Sequence, residues 1–391
     1  MYLDLSPEQK SFRDQLREYL ARLVTPELLE EMRGSEGGSP GFRRALRQMG
    51  TDGLLGIGWP KEYGGQARGP IEQYIFSDEV QRSGFPLPFL TLGTVGPTLM
   101  RFGNEEQRRE FLPKILRGEM LFAIGYSEAG AGTDLAGLQT KAERDGDGWL
   151  INGAKMWTSL ADHADYIWLA ARTDPKVKKH RGISVFLVPT SSPGFKVVPI
   201  ATLGGIRTNA TFYENVRVPA ANLIGGENNG WSLITGQLNH ERVSLMNVGP
   251  VSRILDEARR WAQETKRADG RRVVDEPWVQ ANLARVHAKL EVLRLMNWKQ
   301  AWALQHGQLH PADASAVKVF GSEFYVEAYR ALLEIFGAQG LVQAGSPGAV
   351  LRGRVEMMYR YTLILTFGGG TNEVQRDIIA MTALGLPHYK H

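Results

Sequence analysis

The apolar residues of this chain change their period twice, and that double change constrains the fold more than any other feature. Up to about residue 120 they recur at three-to-four spacing, as in Phe12, Leu16, Tyr19, Leu20 and Leu23, the pattern of amphipathic helices. Between about 121 and 228 they gather in short β-type runs at 122–126, 149–152, 166–171, 183–188, 196–198 and 211–218. Beyond Gly225-Gly-Glu-Asn-Asn-Gly230 the helical period returns, with long stretches at 231–266, 278–306, 312–336 and 349–384. A chain of 391 residues is too long for one ordinary core. The three textures therefore predict three domains: an N-terminal helical domain over 1–120, a middle β domain over 121–228 and a C-terminal helical domain over 229–391. The expected class is α+β, and internal repeats are missing.

Local signals sharpen this outline. Ser6 as N-cap, Pro7 in the first turn and Gln9 completing a capping box predict where the first helix starts. The segment 104–116 predicts another short amphipathic helix, the glycine-rich stretch 58–65 separates helices with loops, and Asp145-Gly-Asp-Gly148 is a hairpin signal. The order excludes a Rossmann domain, which needs alternating strands and helices with a Gly-x-Gly-x-x-Gly turn, and that motif does not occur; nor does a Walker A motif. His306 and His310 have metal-ligand spacing, but Gly307 and Pro311 make their segment a turn, so no metal site is expected. With no cysteine there is no disulfide framework. The formal charge of +4 comes in short clusters such as Lys176-Val-Lys-Lys-His-Arg181, which lack aromatic interleaving and read as a solvated loop rather than a nucleic-acid surface. The first ten residues carry acids where a signal peptide would be basic, and no apolar run reaches membrane-spanning length, so the expected location is cytoplasmic with no membrane partner.

Three separated motifs point to chemistry. The first, Tyr126-Ser-Glu-Ala-Gly-Ala-Gly-Thr-Asp134, leaves a predicted strand with small residues that let backbone approach a ligand. The second is Asn152-Gly-Ala-Lys-Met-Trp-Thr-Ser159, and the third is Gly370-Thr-Asn-Glu-Val-Gln-Arg376. Together, in this order, they resemble the acyl-CoA dehydrogenase family along essentially the whole chain. The resemblance implies an acyl-CoA dehydrogenase fold ending in a four-helix bundle, and FAD as cofactor. It places Tyr126, Ser127, Thr133, Trp157, Thr158, Ser159, Thr371 and Glu373 against the flavin, with Trp157 on the isoalloxazine and Glu373 where glutamine is usual. Segments that often hold the adenine half of a neighbouring subunit's flavin match Arg267-Ala-Asp-Gly-Arg271 and Glu334-Ile-Phe-Gly-Ala338, which assigns Arg267 and Gly337 to the cofactor. The first lacks the family's phenylalanine and the second has glutamate for glutamine.

The family base, a glutamate before the Gly-Thr pair, is missing: that position is Gly369. Its backbone N–H can still polarise the thioester oxygen, so Gly369 keeps a catalytic role without a side chain. The expected replacement base is Glu241, on a helical stripe with Ile234, Leu238 and Leu245. That position matches the alternative base of isovaleryl- and long-chain-type dehydrogenases, and Arg242 matches an arginine at the active-site edge. The resemblance further sets Thr133, Arg242 and Gly370 against the substrate. The reaction implied is α,β-dehydrogenation of an acyl-CoA to a trans-2-enoyl-CoA. Closest is the actinobacterial branch that oxidises steroid side-chain acyl-CoA thioesters, so a bulky, branched or steroid substrate is expected. Electron-transferring flavoprotein is the expected acceptor, within a homotetramer or an α2β2 heterotetramer with a related chain. Two alternatives stand beside this reading: a non-catalytic structural subunit of such a complex, and an acyl-CoA oxidase using oxygen.

Overall fold

The computed structural model describes residues 4–241, the last four of these as backbone only, and residues 246–387. Helix α1 (Pro7–Leu23) starts as its sequence predicts: Ser6 Oγ accepts from the Gln9 N–H while Gln9 Oε1 accepts from the Ser6 N–H. Its Phe12, Leu16 and Leu20 are buried. Helices α2 (Pro26–Glu31), α3 (Pro40–Thr51) and α4 (Pro70–Ser83) follow, then a π-helical turn at Leu90–Val95, α5 (Gly96–Phe102) and α6 (Glu105–Leu116). A second capping box, Asn104 with Gln107, starts α6.

The middle region forms one sheet from β1 (Phe122–Gly125), β2 (Lys141–Asp145), β3 (Gly148–Lys155), β4 (Tyr166–Arg172), β5 (Ile183–Pro189), β6 (Phe195–Ala201), β7 (Arg207–Pro219) and β8 (Leu223–Ile224). Its order is β6-β7-β3-β2-β4-β5-β8, with β1 pairing parallel to β4. Strand β2 was not expected. Its sequence, Lys-Ala-Glu-Arg-Asp, has little strand propensity, and the predicted hairpin turn at Asp145–Gly148 recruits it by pairing it with β3 from Lys141↔Asn152 to Asp145↔Gly148. One face of β4 and β5 packs, through Trp168, Ala170, Val185 and Leu187, into the core of the N-terminal helices. The other face holds a separate cluster with Trp149, Ile151, Leu169, Phe186 and Val216. The Trp149 and Phe186 rings meet edge-on, centroids 5.2 Å apart.

The helical expectation for the last region is corrected at two places. The stretch 231–266 is not one helix: residues 246–248, between α7 (Gly230–Glu241) and α8 (Gly249–Glu264), are not helical, and α8 starts afresh at a Gly-Pro pair. Proline suits the first turn of a helix, where its missing N–H costs nothing, and a new helix start needs partners for its free N–H groups. Asp78 Oδ1 supplies one, accepting from the Gly249 N–H at 2.7 Å. The stretch 349–384 likewise divides into α11 (Arg354–Thr362) and α12 (Asn372–Thr382), separated by a turn in which Gly369 and Gly370 take φ of +69° and +95°. Helices α9 (Pro277–Gln305) and α10 (Pro311–Phe336) pack with α8 and α11 around Val286, Leu290, Phe324, Tyr329 and Leu332 as a four-helix bundle, and α12 lies against α10. Among the described residues no helix is long and apolar enough to cross a membrane.

Because Trp149 fills the second sheet cluster almost without exposure, Trp149→Ala should destabilise the protein by about 3–5 kcal/mol. Urea unfolding followed by circular dichroism measures this, and a loss under about 1 kcal/mol would show that the cluster collapses around the void.

Candidate active site

Strand β1 delivers the chain to Tyr126, whose hydroxyl joins three elements. Trp168 Nε1 on β4 donates to it at 3.0 Å, and it donates in turn to Gln237 Oε1 on α7. Gln237 is buried, and its Nε2 finds no acceptor among the described residues. Sequence reasoning missed Gln237, although it precedes Glu241 by four residues. From Tyr126 the chain enters a loop closed by reciprocal Glu128–Ala131 backbone bonds of 3.0 and 3.1 Å. A methyl group added at Gly130 or Gly132 would meet no atom within 4 Å, so this loop presents backbone to open space. Ser127 is half-buried and Thr133 exposed on the same loop.

Strand β3 runs directly beneath. The Met156 N–H donates to Ser127 O at 2.8 Å, which lays 156–159 against the loop. Trp157 then adopts φ of +64° and leaves its side chain 57 % exposed. A left-handed tryptophan costs on the order of 1–3 kcal/mol, and an exposed indole recovers little of that by burial. Thr158 does the reverse: it is fully buried, its N–H donates to Asn209 O at 2.9 Å, and its Oγ1 has no partner among the described residues. Asn209 on β7, another residue without a sequence signal, donates through Nδ2 to Thr158 O at 3.1 Å, and its own Oδ1 is equally orphaned. Ser159 lies beside the Glu36 carboxyl, whose pKa is raised by burial against hydrogen bonds from Ser159 and Tyr361. The Tyr361 hydroxyl donates to Glu36 at 3.4 Å and ties α11 to this corner. Tyr126, Ser127, Trp157, Thr158 and Ser159 are thus brought together.

The glycine turn forms a second group, on the bundle. Thr371 caps α12 by accepting from the Val374 N–H at 3.2 Å, and Glu373 is exposed, its pKa lowered by its own N–H and the Thr371 hydroxyl. Beneath them Asn372 accepts from the buried Lys318 at 2.8 Å, and Gln375 accepts from Ser315 at 2.9 Å while its Nε2 stays unpartnered. A methyl at Gly370 would lie 2.8 Å from that nitrogen. Among the described residues nothing accepts from the Gly369 N–H. Arg267 and Gly337 are not brought to either group. Arg267 pairs with Glu276 between α8 and α9, and Gly337 is the exposed C-cap of α10. Roughly fifteen residues of α10, about 22 Å, separate Gly337 from the helix face under Asn372. Arg242 and the Glu241 side chain lie outside the described residues.

Buried polar atoms normally find partners, so the orphaned Thr158 Oγ1 beside an exposed, left-handed Trp157 and an open glycine loop fits a flat polar cofactor such as FAD. Thr158→Val keeps the shape and removes the orphan. It should weaken FAD binding to the apoprotein about three- to tenfold, the worth of one neutral hydrogen bond, and leave apoprotein stability unchanged or slightly raised. Fluorescence titration and thermal unfolding measure the two effects, and an unchanged affinity would detach Thr158 from the cofactor.

Comparison with known proteins agrees with this geometry. Family models for the acyl-CoA dehydrogenase N-terminal, middle and C-terminal domains match residues 6–119, 123–216 and 228–384. The chain is 55 % identical to acyl-CoA dehydrogenase FadE26 of Mycobacterium tuberculosis, over 99 % of each. It superimposes with a TM-score of 0.93 at 56 % identity on a chain of the ChsE4-ChsE5 complex from the same organism, covering all of both chains. A steroid acyl-CoA dehydrogenase, Tcur3481-Tcur3483, gives 0.94 at 48 % identity, again over the full length of both. The chain belongs to the acyl-CoA dehydrogenase family and is an FAD-dependent acyl-CoA dehydrogenase.

Proposed function

We propose that this enzyme dehydrogenates a bulky, branched or steroid side-chain acyl-CoA to the trans-2-enoyl-CoA, with Glu241 as the base. The observation that carries the reading is Gly369, at φ +69°, where many family members hold the catalytic glutamate. The proton must then go to a carboxylate on another element. Helix α7 is the source we assign, by register: Gln237, buried and bonded to Tyr126, precedes Glu241 by four residues, one helical turn. By the family resemblance Arg242, with Thr133 and Gly370, is assigned to the substrate.

When bound, FAD supplies the acceptor for the β-hydride. Tyr126, Ser127, Trp157, Thr158, Ser159, Thr371 and Glu373 are assigned to hold it, with Arg267 and Gly337 reaching the adenine half of a neighbouring subunit's cofactor. The protein's own contribution to the reaction is acid–base and electrostatic. Glu241 takes the α-proton, and the Gly369 N–H donates to the thioester oxygen as negative charge gathers there, which is worth on the order of 10²–10³ in rate. A glycine at 369 supports a bulky acyl group by leaving the space of a side chain free, as does the full-length likeness to a steroid acyl-CoA dehydrogenase.

Assembly with a related chain in an α2β2 complex is supported by the apolar face of α9, where Trp278, Val292, Leu295 and Trp302 are each 45–50 % exposed. Electrons then pass to electron-transferring flavoprotein, in the cytoplasm. A silent structural subunit would have no use for the strained Trp157 or the orphaned Thr158.

The test is co-expression with the related chain, then turnover on linear, branched and steroid acyl-CoA thioesters. Bulky substrates should exceed linear ones at least about tenfold in kcat/KM, and a clear win for linear chains would end the substrate reading. Glu241→Gln should lower kcat by about 10²–10⁴ with flavin content unchanged, and retained turnover would remove Glu241 as base. Peroxide released at the rate of substrate loss would identify an oxidase instead.

A further inference from the structure

Under the flavin-facing surface lies an ion pair that the reaction does not use. Lys155, the last residue of β3, is fully buried, and its Nζ donates to Glu128 Oε1 at 2.8 Å and to Tyr126 O at 3.1 Å. Glu128 is nearly as buried, and its carboxylate also accepts from the Gln139 and Thr140 N–H groups at 2.7 and 2.9 Å. One carboxylate therefore closes both ends of the loop that starts at Tyr126, and one ammonium ties that closure to the strand. Two residues beyond Lys155 stand Trp157 and then Thr158, and the intervening Met156 N–H already holds Ser127 O. Arg172, at the end of β4, closes the far side by donating to Ala136 O at 2.6 Å and Leu138 O at 3.2 Å.

A buried ion pair seldom adds net stability, because removing two charges from water offsets most of their attraction. What it does add is a fixed geometry. We propose that Lys155 and Glu128 are positioning residues that lock the Tyr126–Ser127 segment to the Trp157–Ser159 segment, so that this pair governs how tightly the apoprotein retains FAD. The inference rests on assigning those two segments to the flavin.

The charged groups facing Lys155 are Glu128 from the loop and Arg172 from β4. Burial draws the Lys155 pKa down from 10.5 to about 8, against the pull of Glu128. Burial raises that of Glu128, but Lys155 and the two backbone N–H groups outweigh it and the net shift is downward. The pair is therefore complete near neutrality and loses its positive member as pH climbs past about 8. An unfolded chain keeps this lysine charged to higher pH, so between those values the native state binds fewer protons and the group makes the fold more stable as pH rises. A positioning role and a purely structural one thus move in opposite directions with pH.

The experiment titrates FAD into the full-length apoprotein by fluorescence quenching, at about pH 7 and about pH 9.5, with thermal unfolding of the apoprotein alongside. For the wild type, the dissociation constant should rise at least about fivefold between the two, a weakening that apoprotein stability does not parallel. Glu128→Gln, which leaves Lys155 without its counter-charge, should bind about tenfold more weakly at neutral pH and lose the pH dependence. A wild-type affinity constant across this range overturns the proposal without any variant, which covers the case in which Glu128→Gln fails to fold. If Thr158→Val weakens binding and Glu128→Gln does not, the lock is wrong and the flavin assignment stands. If neither variant changes affinity, the assignment and the lock fall together.

Discussion

The hydrogen-bond chain from Trp168 through the Tyr126 hydroxyl to Gln237 is the constraint on which the site depends, because it is where the sheet and the helix expected to carry the base are held in register. Each member is anchored by something larger. Trp168 sits fully buried in a central strand, Tyr126 follows directly from β1, and Gln237 lies on the buried face of α7 beside Leu233 and Ile234. A hydrogen bond between partners this well fixed needs little further ordering when it forms. The cofactor loop and the α7 backbone one helical turn beyond Gln237 are thereby set at a defined separation, although they belong to different domains.

Glycine does opposite work at two places. At Gly130 and Gly132 the missing side chains leave backbone facing open space, as a cofactor loop requires. At Gly369 and Gly370 the positive φ values turn the chain between α11 and α12. A glutamate at 369 would sit in a backbone conformation that side chains rarely adopt, whereas a backbone donor suits it. The proposed reaction divides its needs accordingly: the electrostatic share stays on the turn, and the proton transfer moves to α7. The same economy fits Trp157, whose strained backbone and exposed ring suit a ligand lying on the loop.

Much of this was legible in the sequence. The capping box at Ser6–Gln9, the short helix over 104–116, the domain order and the hairpin turn are local signals, and local signals survive folding. Strand β2 was not legible because Lys-Ala-Glu-Arg-Asp becomes a strand only through its partner. The breaks before Gly249 and after Thr362 were blurred because apolar spacing persists across them, while Pro250 and Gly368–Gly370 punctuate it. The residues assigned to the flavin came from motif order, but their supports were not legible. Gln237, Asn209, Glu36 and the Lys155–Glu128 pair lie far from their partners along the chain, and no local pattern marks a residue whose role is to hold another.

The central claim is that proton abstraction has moved from position 369 to 241. It is tested most directly by the proton step alone, with no electron acceptor present. Incubated in deuterated water with a saturated acyl-CoA, the holoenzyme should exchange deuterium into the α-position, read by mass spectrometry, and Glu241→Gln should not, though it keeps its flavin and binds the thioester. Exchange by Glu241→Gln at the wild-type rate would contradict the account and place the base elsewhere.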